Sequence, residues 1–121
     1  MSEIKRLCNA FLFSLAGLKA TWKTEPAFRF EIVLAVFLTP IVFIGDFTTI
    51  ERVLMIGAEL LVLIAELCNT AIEATVDRVS LELHPLSKKA KDTASAMVLL
   101  AMMNLLIVWG FICYPLIERF F

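Results

Sequence analysis

Charge is scarce over most of this chain: 19% of its 121 residues are charged, 60% are hydrophobic, and the mean hydropathy is +0.87. A water-soluble fold of this size could not cover so much apolar surface. Histidine is reduced to His84, and the cysteines Cys8, Cys68 and Cys113 lie far apart in apolar neighbourhoods. Without a CxxC pair or a nearby histidine they argue against a zinc module, and their odd number argues against a disulfide framework, so free thiols are expected. There is no GxxxxGK[ST] loop, HRD or DFG run, so phosphates cannot be held as in P-loop enzymes or protein kinases. Internal repeats, low-complexity segments and a soluble domain are also missing, and no nucleic-acid partner is expected. Residues 1–18 contain Lys5 and Arg6 but no clean apolar core before a small-residue cleavage site, so they are expected to belong to the mature chain.

The formal net charge of −1 hides an uneven distribution, with charges gathered in the first 31 residues and between Asp77 and Asp92. That is the pattern of a chain sorted between lipid and water. Ile4, Leu7, Cys8, Phe11, Leu15, Leu18 and Trp22 recur at helical spacing, with Lys5, Asn9, Lys19 and Lys23 mostly elsewhere on the helix, which predicts an amphipathic surface helix over 4–24. Pro26 ends it and can open the next helix. Three spans follow, at 27–44, 53–76 and 94–117, separated by a turn at Gly45, Asp46, Thr48 and Thr49 and by a hydrophilic connection at 77–93 in which Pro85 marks a break. Pro40 inside the first span is tolerable where neighbouring groups satisfy the freed carbonyl. The second tract is longer than the bilayer needs, at about 36 Å as a helix. Lys5, Arg6, Lys19, Lys23 and Arg29 lie before or at the start of the first span, and Arg78, Lys88, Lys89 and Lys91 occupy the second connection, against Arg52 alone in the first. This bias puts the N-terminus and the 77–93 connection on the cytoplasmic side. The expected fold is therefore an all-α membrane protein, one domain over 1–121.

The second span carries Glu59, Glu66 and Glu73, although a charge at the bilayer centre costs on the order of 2.5–3.5 kcal/mol. At 100° per residue Glu66, Asn69, Glu73 and Asp77 fall at roughly 0, 300, 340 and 20 degrees, a single stripe about 80° wide. Glu59 extends that stripe by seven residues towards the non-cytoplasmic half. Such a seam can serve as polar glue between helices. It can also bind a divalent cation and the phosphates it carries, and a carboxylate stripped of water is a good proton acceptor for a hydroxyl. Lys88, Lys89 and Lys91 by themselves read as a solvated, lipid-facing charge run. His84 reads as a loop histidine, Met97, Met102 and Met103 as packing residues, and Trp109 and Tyr114 as an interfacial belt.

The run Glu66-Leu67-Cys68-Asn69-Thr70-Ala71-Ile72-Glu73-Ala74-Thr75-Val76-Asp77-Arg78 closely resembles the signature E-x-x-N-[ST]-A-I-E-x-x-x-D of the prokaryotic diacylglycerol kinases. Lys91-Asp92, Ser95-Ala96, Arg6, Trp22, Glu25, Ala27-Phe28-Arg29 and Glu31 fit the same family at matching spacing. The resemblance implies a homotrimeric kinase of the bacterial inner membrane that transfers the γ-phosphoryl group of MgATP to diacylglycerol, giving phosphatidate, with active sites shared between subunits. It implies Glu66 as general base, Asn69 as the group orienting it, and Glu25 and Glu73 as magnesium ligands. Arg6, Phe13, Glu25, Glu73, Glu82, Leu83, His84, Lys91 and Asp92 would contact ATP. Arg6, Ser14, Trp22, Ala27, Arg29, Glu31, Arg52, Glu66, Ser95 and Trp109 would face the lipid substrate, with Asp77 a further member of the polar seam. Leu15, Pro26 and Phe30 depart from the better-known members, and Glu59 stands where an apolar residue is usual. Glu59 is expected either uncharged in lipid or turned to a trimer axis, so that Glu59→Leu leaves catalysis intact. Undecaprenol is an alternative acceptor for the same chemistry. A small proton-coupled transporter subunit or a regulatory partner of a larger complex would use the carboxylates differently, but four-span multidrug transporters lack this amphipathic lead and charged connection.

Overall fold

A computed structural model describes residues 2–121. Among them the chain forms four helices and no strand: α1 (Glu3–Thr24), α2 (Pro26–Ile44), α3 (Thr49–Val79) and α4 (Pro85–Phe120). The last three are long and apolar enough to cross a membrane.

Helix α1 starts where the Ser2 hydroxyl accepts a hydrogen bond from the Lys5 amide, with Glu3 in the first turn and Lys23 in the last, each suited to the helix dipole. Ile4, Leu7, Phe11 and Leu15 are exposed along it, the apolar stripe an interfacial helix requires. One extended residue, Glu25, separates α1 from α2, because Pro26 has no N–H to continue α1 and disfavours helical backbone before it. Helix α2 continues through Pro40 as expected. At its end the Arg52 guanidinium donates to the carbonyls of Val42 (3.0 Å) and Gly45 (3.1 Å), satisfying acceptors that a helix C-terminus leaves unpaired. Thr48 and Glu51 then form a reciprocal capping box that starts α3.

Several boundaries differ from the sequence expectation. Helix α3 begins at Thr49 and runs to Val79, and α4 begins at Pro85, so the connection shrinks from 77–93 to 80–84. Pro85 opens a helix and does not break one: it occupies the first turn, and His84 Nδ1 accepts from the Leu86 amide at 3.1 Å. The charges that suggested a loop are the solvated face of this first part of α4. Lys88 pairs with Asp92 one turn on, and Lys91 reaches back to Asp77 of α3 at 2.7 Å.

Helices α3 and α4 make the main interface. Ala58, Val62 and Ala65 of α3 and Ala101 and Leu105 of α4 form one buried cluster there; the other buried residues are Met55, Glu59 and Glu66 on α3 and Ala94 on α4. The alanines matter because lipid tails are as apolar as leucine. Helices associate in a membrane through close van der Waals packing, which small residues permit. A second cluster joins Val42, Phe47 and Met55 beside the α2–α3 turn.

Candidate active site

The acids of α3 occupy the stripe that the helix turns towards its neighbours. Glu59 and Glu66 are only 6% and 5% exposed. Asn69 and Glu73 are half-buried and Asp77 is exposed, so the seam runs from the inside of the bundle out to its charged end. Thr49 lies seventeen residues before Glu66, about 26 Å along the helix. With Thr49 at one interface, Glu66 falls near the opposite edge of a hydrocarbon layer about 30 Å thick, and Glu73 and Asp77 fall beyond it.

Four side chains gather at Glu66. The Glu31 carboxyl of α2, itself buried, lies beside it, with the Asn69 amide near by and Glu25 and Glu73 close enough to act on it through their charge. Asn69 Nδ2 also donates to Glu73 Oε1 at 3.3 Å, so this one amide ties the two α3 carboxyls together. Its Oδ1 is buried without a protein partner. Glu25 sits at the α2 N-terminus, where the helix dipole favours an anion, yet its side chain caps nothing. Its oxygens are left for another ligand. Arg29 donates to the carbonyls of Trp22 (2.8 Å) and Lys23 (3.1 Å), fixing the end of α1 over the start of α2 and so placing Glu25. Ala27 is exposed on the first turn of α2.

No group of three His, Cys, Asp or Glu side chains among the described residues is arranged to hold a metal by itself. This donor set does suit magnesium that arrives with a nucleotide, since Mg²⁺ typically takes one or two carboxylates together with substrate phosphates and water. Beside the seam, where α3 and α4 meet at the charged end, Asp77, Glu82, Leu83, His84, Lys91 and Asp92 border a cleft of about 640 Å³, a volume in the range of small-molecule sites. Five of these six residues are ones that the family resemblance assigned to ATP.

Other candidates are not brought to the cluster within one chain. Arg6 pairs with Glu3 at 3.5 Å and lies nineteen residues from Glu25, about 28 Å along α1. Phe13 and Ser14 are exposed midway along the same helix, the Ser14 hydroxyl donating to Ala10. Ser95, by contrast, is exposed on α4 one turn after Lys91, whose partner Asp77 belongs to the acid stripe. Arg52 is occupied at the end of α2, and Trp109 Nε1 donates to the Met55 carbonyl at 3.3 Å.

Glu59 faces neither lipid nor an outer surface, as either expectation for it required. It is buried between helices of its own chain, where the Thr39 hydroxyl lies 2.7 Å from the Ala35 carbonyl oxygen and 3.1 Å from Glu59 Oε2. Thr39 had no role in the sequence, and neither did the direct contact of Glu31 with Glu66. The available signal for the latter was two acids at similar depth on consecutive helices.

Residues 12–113 match the family described as prokaryotic diacylglycerol kinase. The chain is 51% identical over 107 residues to a diacylglycerol kinase of Pseudomonas aeruginosa, covering 88% of this chain and 87% of that one. It is 46% identical over 111 residues to the diacylglycerol kinase of Haemophilus influenzae, covering 92% and 94%. It is 44% identical over 104 residues to the diacylglycerol kinase of Escherichia coli K12, covering 86% and 85%.

Proposed function

The chain belongs to the prokaryotic diacylglycerol kinase family, and we propose that it transfers the γ-phosphoryl group of MgATP to the hydroxyl of diacylglycerol at the inner end of α3. The products are phosphatidate and ADP, and the hydroxyl proton leaves to the protein. The observation that carries this reading is the continuous arrangement of Glu31, Glu66, Asn69 and Glu73 across the depth at which a lipid headgroup meets water.

Phosphoryl transfer demands positioning and charge neutralisation more than covalent chemistry from the protein. Glu66 is the proton acceptor for the lipid hydroxyl, because it combines deep burial with a place in the acid stripe beside Asn69, whose amide is held by Glu73. Glu25 and Glu73 would hold the magnesium that accompanies ATP, and that ion supplies neutralisation of charge on the transferring phosphoryl group. The cleft beside 80–84 receives the nucleotide, with Lys91 contributing positive charge and Asp77 holding Lys91 in place. Trp22, Ala27, Arg29 and Glu31 border the lipid side.

The bias of Lys and Arg supports an orientation in which this end of the bundle faces the cytoplasm, where ATP is found, in the inner membrane of a bacterium. The separation of Arg6 and Phe13 from the acids supports a homotrimer in which α1 of one copy completes the site of the next. The assay is transfer of labelled phosphate from ATP into purified lipid, with diacylglycerol and undecaprenol as separate acceptors and Glu73→Gln beside the wild type. Labelling of diacylglycerol that collapses in Glu73→Gln is expected. Labelling of undecaprenol alone would transfer the reading to a polyprenol kinase, and equal labelling by both proteins would refute the role of Glu73.

A further inference from the structure

A small, partly open cavity lies one step deeper than the reaction site, between α2, α3 and α4. Leu34, Ala35 and Leu38 of α2, Val62 of α3 and Leu105 of α4 form its apolar wall, and the carboxyls of Glu31 and Glu59 are its only charged side chains. The space open to the centre of a water molecule is about 10 Å³, the room of a single water. Each of the two residues is only 6% exposed, and each has one buried oxygen, Glu31 Oε2 and Glu59 Oε1, with no hydrogen-bond partner in the protein.

Buried polar atoms are rarely left unpaired, because stripping one of water without replacing the bond costs roughly 1–3 kcal/mol. Of the four buried side-chain atoms without a partner among the described residues, Glu31 Oε2 and Glu59 Oε1 belong to residues that line this one water-sized space, whereas Asn69 Oδ1 and Thr70 Oγ1 do not; the pair forms a bonding pattern with one molecule left out. We propose that an ordered water occupies this cavity and donates one hydrogen to Glu31 Oε2 and the other to Glu59 Oε1, so that Glu59 positions Glu31 and, through it, Glu66. Glu59 is thereby a positioning residue and touches no substrate. Thr39 lies 3.1 Å from its far oxygen, the water links its near oxygen to Glu31, and Glu31 is near enough to Glu66 for the two carboxyls to interact. The order of support is Thr39, Glu59, water, Glu31, Glu66. Without it, Glu31 faces an apolar space and is free to swing, and Glu66 loses the neighbour that sets its rotamer.

The inference rests on the kinase reading only in taking Glu66 as the reacting base, and the test separates the two. The intact protein in lipid is assayed for kcat and for KM of both substrates, as wild type, Glu59→Leu, Glu59→Gln and Ala35→Val. Glu59→Leu removes the water's acceptor, and a misplacement of the order of 1 Å at the base should lower kcat by roughly tenfold or more while KM for MgATP stays put. Glu59→Gln keeps an oxygen for the water and restores most of the rate. Ala35→Val fills the cavity and displaces the water with no change of charge, and it lowers kcat in the same direction even if Glu59→Leu proves too unstable to purify. Wild-type kcat in Ala35→Val, or a Glu59→Gln protein as slow as Glu59→Leu, would overturn the proposal. Independently of activity, a structure that resolves ordered solvent should show one water between the two carboxyls, and an empty cavity there would also overturn it. A wild type that labels no lipid refutes the kinase reading instead.

Discussion

Replacement of Glu66 separates a chemical role from a structural one. Glu66→Gln keeps the shape and the hydrogen-bonding reach of the side chain, so Glu31 and Asn69 keep a polar neighbour, but the amide cannot accept a proton from the lipid hydroxyl. General bases contribute about 10²–10⁴-fold, which corresponds to roughly 3–5 kcal/mol of barrier at about 1.4 kcal/mol per tenfold. Glu66→Asp keeps the base and withdraws it by one methylene, about 1.5 Å along the side chain, away from both neighbours. A misplacement on that scale costs on the order of 10²-fold, so Glu66→Asp should match or exceed the residual rate of Glu66→Gln and remain far below wild type. Because the nucleotide cleft is bordered by residues from 76 onward, KM for MgATP should be unaltered in both. Thermal stability should diverge from activity: the glutamine variant exchanges one acid of a buried pair for a neutral donor to its partner and should unfold no earlier than wild type. The measurement is kcat for lipid phosphorylation together with the unfolding midpoint of the same preparation. A Glu66→Gln protein within tenfold of wild-type kcat would refute the assignment of the base, and one that lost activity only in step with its stability would reduce Glu66 to a packing residue.

Ala101→Leu should force α3 and α4 apart where Ala58, Val62 and Ala65 pack against it, costing roughly 1–3 kcal/mol; a thermal midpoint equal to wild type would show that this interface is looser than described. Gly45→Ala would drive a methyl group into the buried Phe47 ring at the α2–α3 turn, whereas Gly17→Ala in α1 meets nothing within 4 Å. The first should lower the midpoint, and the second should be neutral or stabilising by up to about 1 kcal/mol. Removal of magnesium with a chelator should abolish phosphate transfer and leave helix content and the unfolding midpoint intact, because no cage of protein side chains depends on the ion; unfolding on chelation would point to a structural metal.

Much of the architecture is legible along the chain. The apolar tracts, the Pro26 break and the one-sided distribution of Lys and Arg are local properties, and α1, α2 and α3 follow them closely. The start of α4 was missed because composition was weighed over capping: a charge-rich segment beginning His84-Pro85 is a good helix start, and Lys88 with Asp92 at helical spacing is a supporting pair. The small alanines of α3 and α4 do not announce themselves as an interface until a second helix is laid against them.

The polar seam of Glu59, Glu66, Asn69, Glu73 and Asp77 was decided by sequence alone, because residues on one helix are related by a rotation of about 100° per residue whatever surrounds them. Which of those groups meet a partner was decided by tertiary structure. Glu31 reaches Glu66, Thr39 reaches Glu59, and Lys91 reaches Asp77 only because α2, α3 and α4 settle at a particular depth and rotation against one another. That choice depends on side-chain packing between segments distant in sequence, and no periodicity within a single helix encodes it.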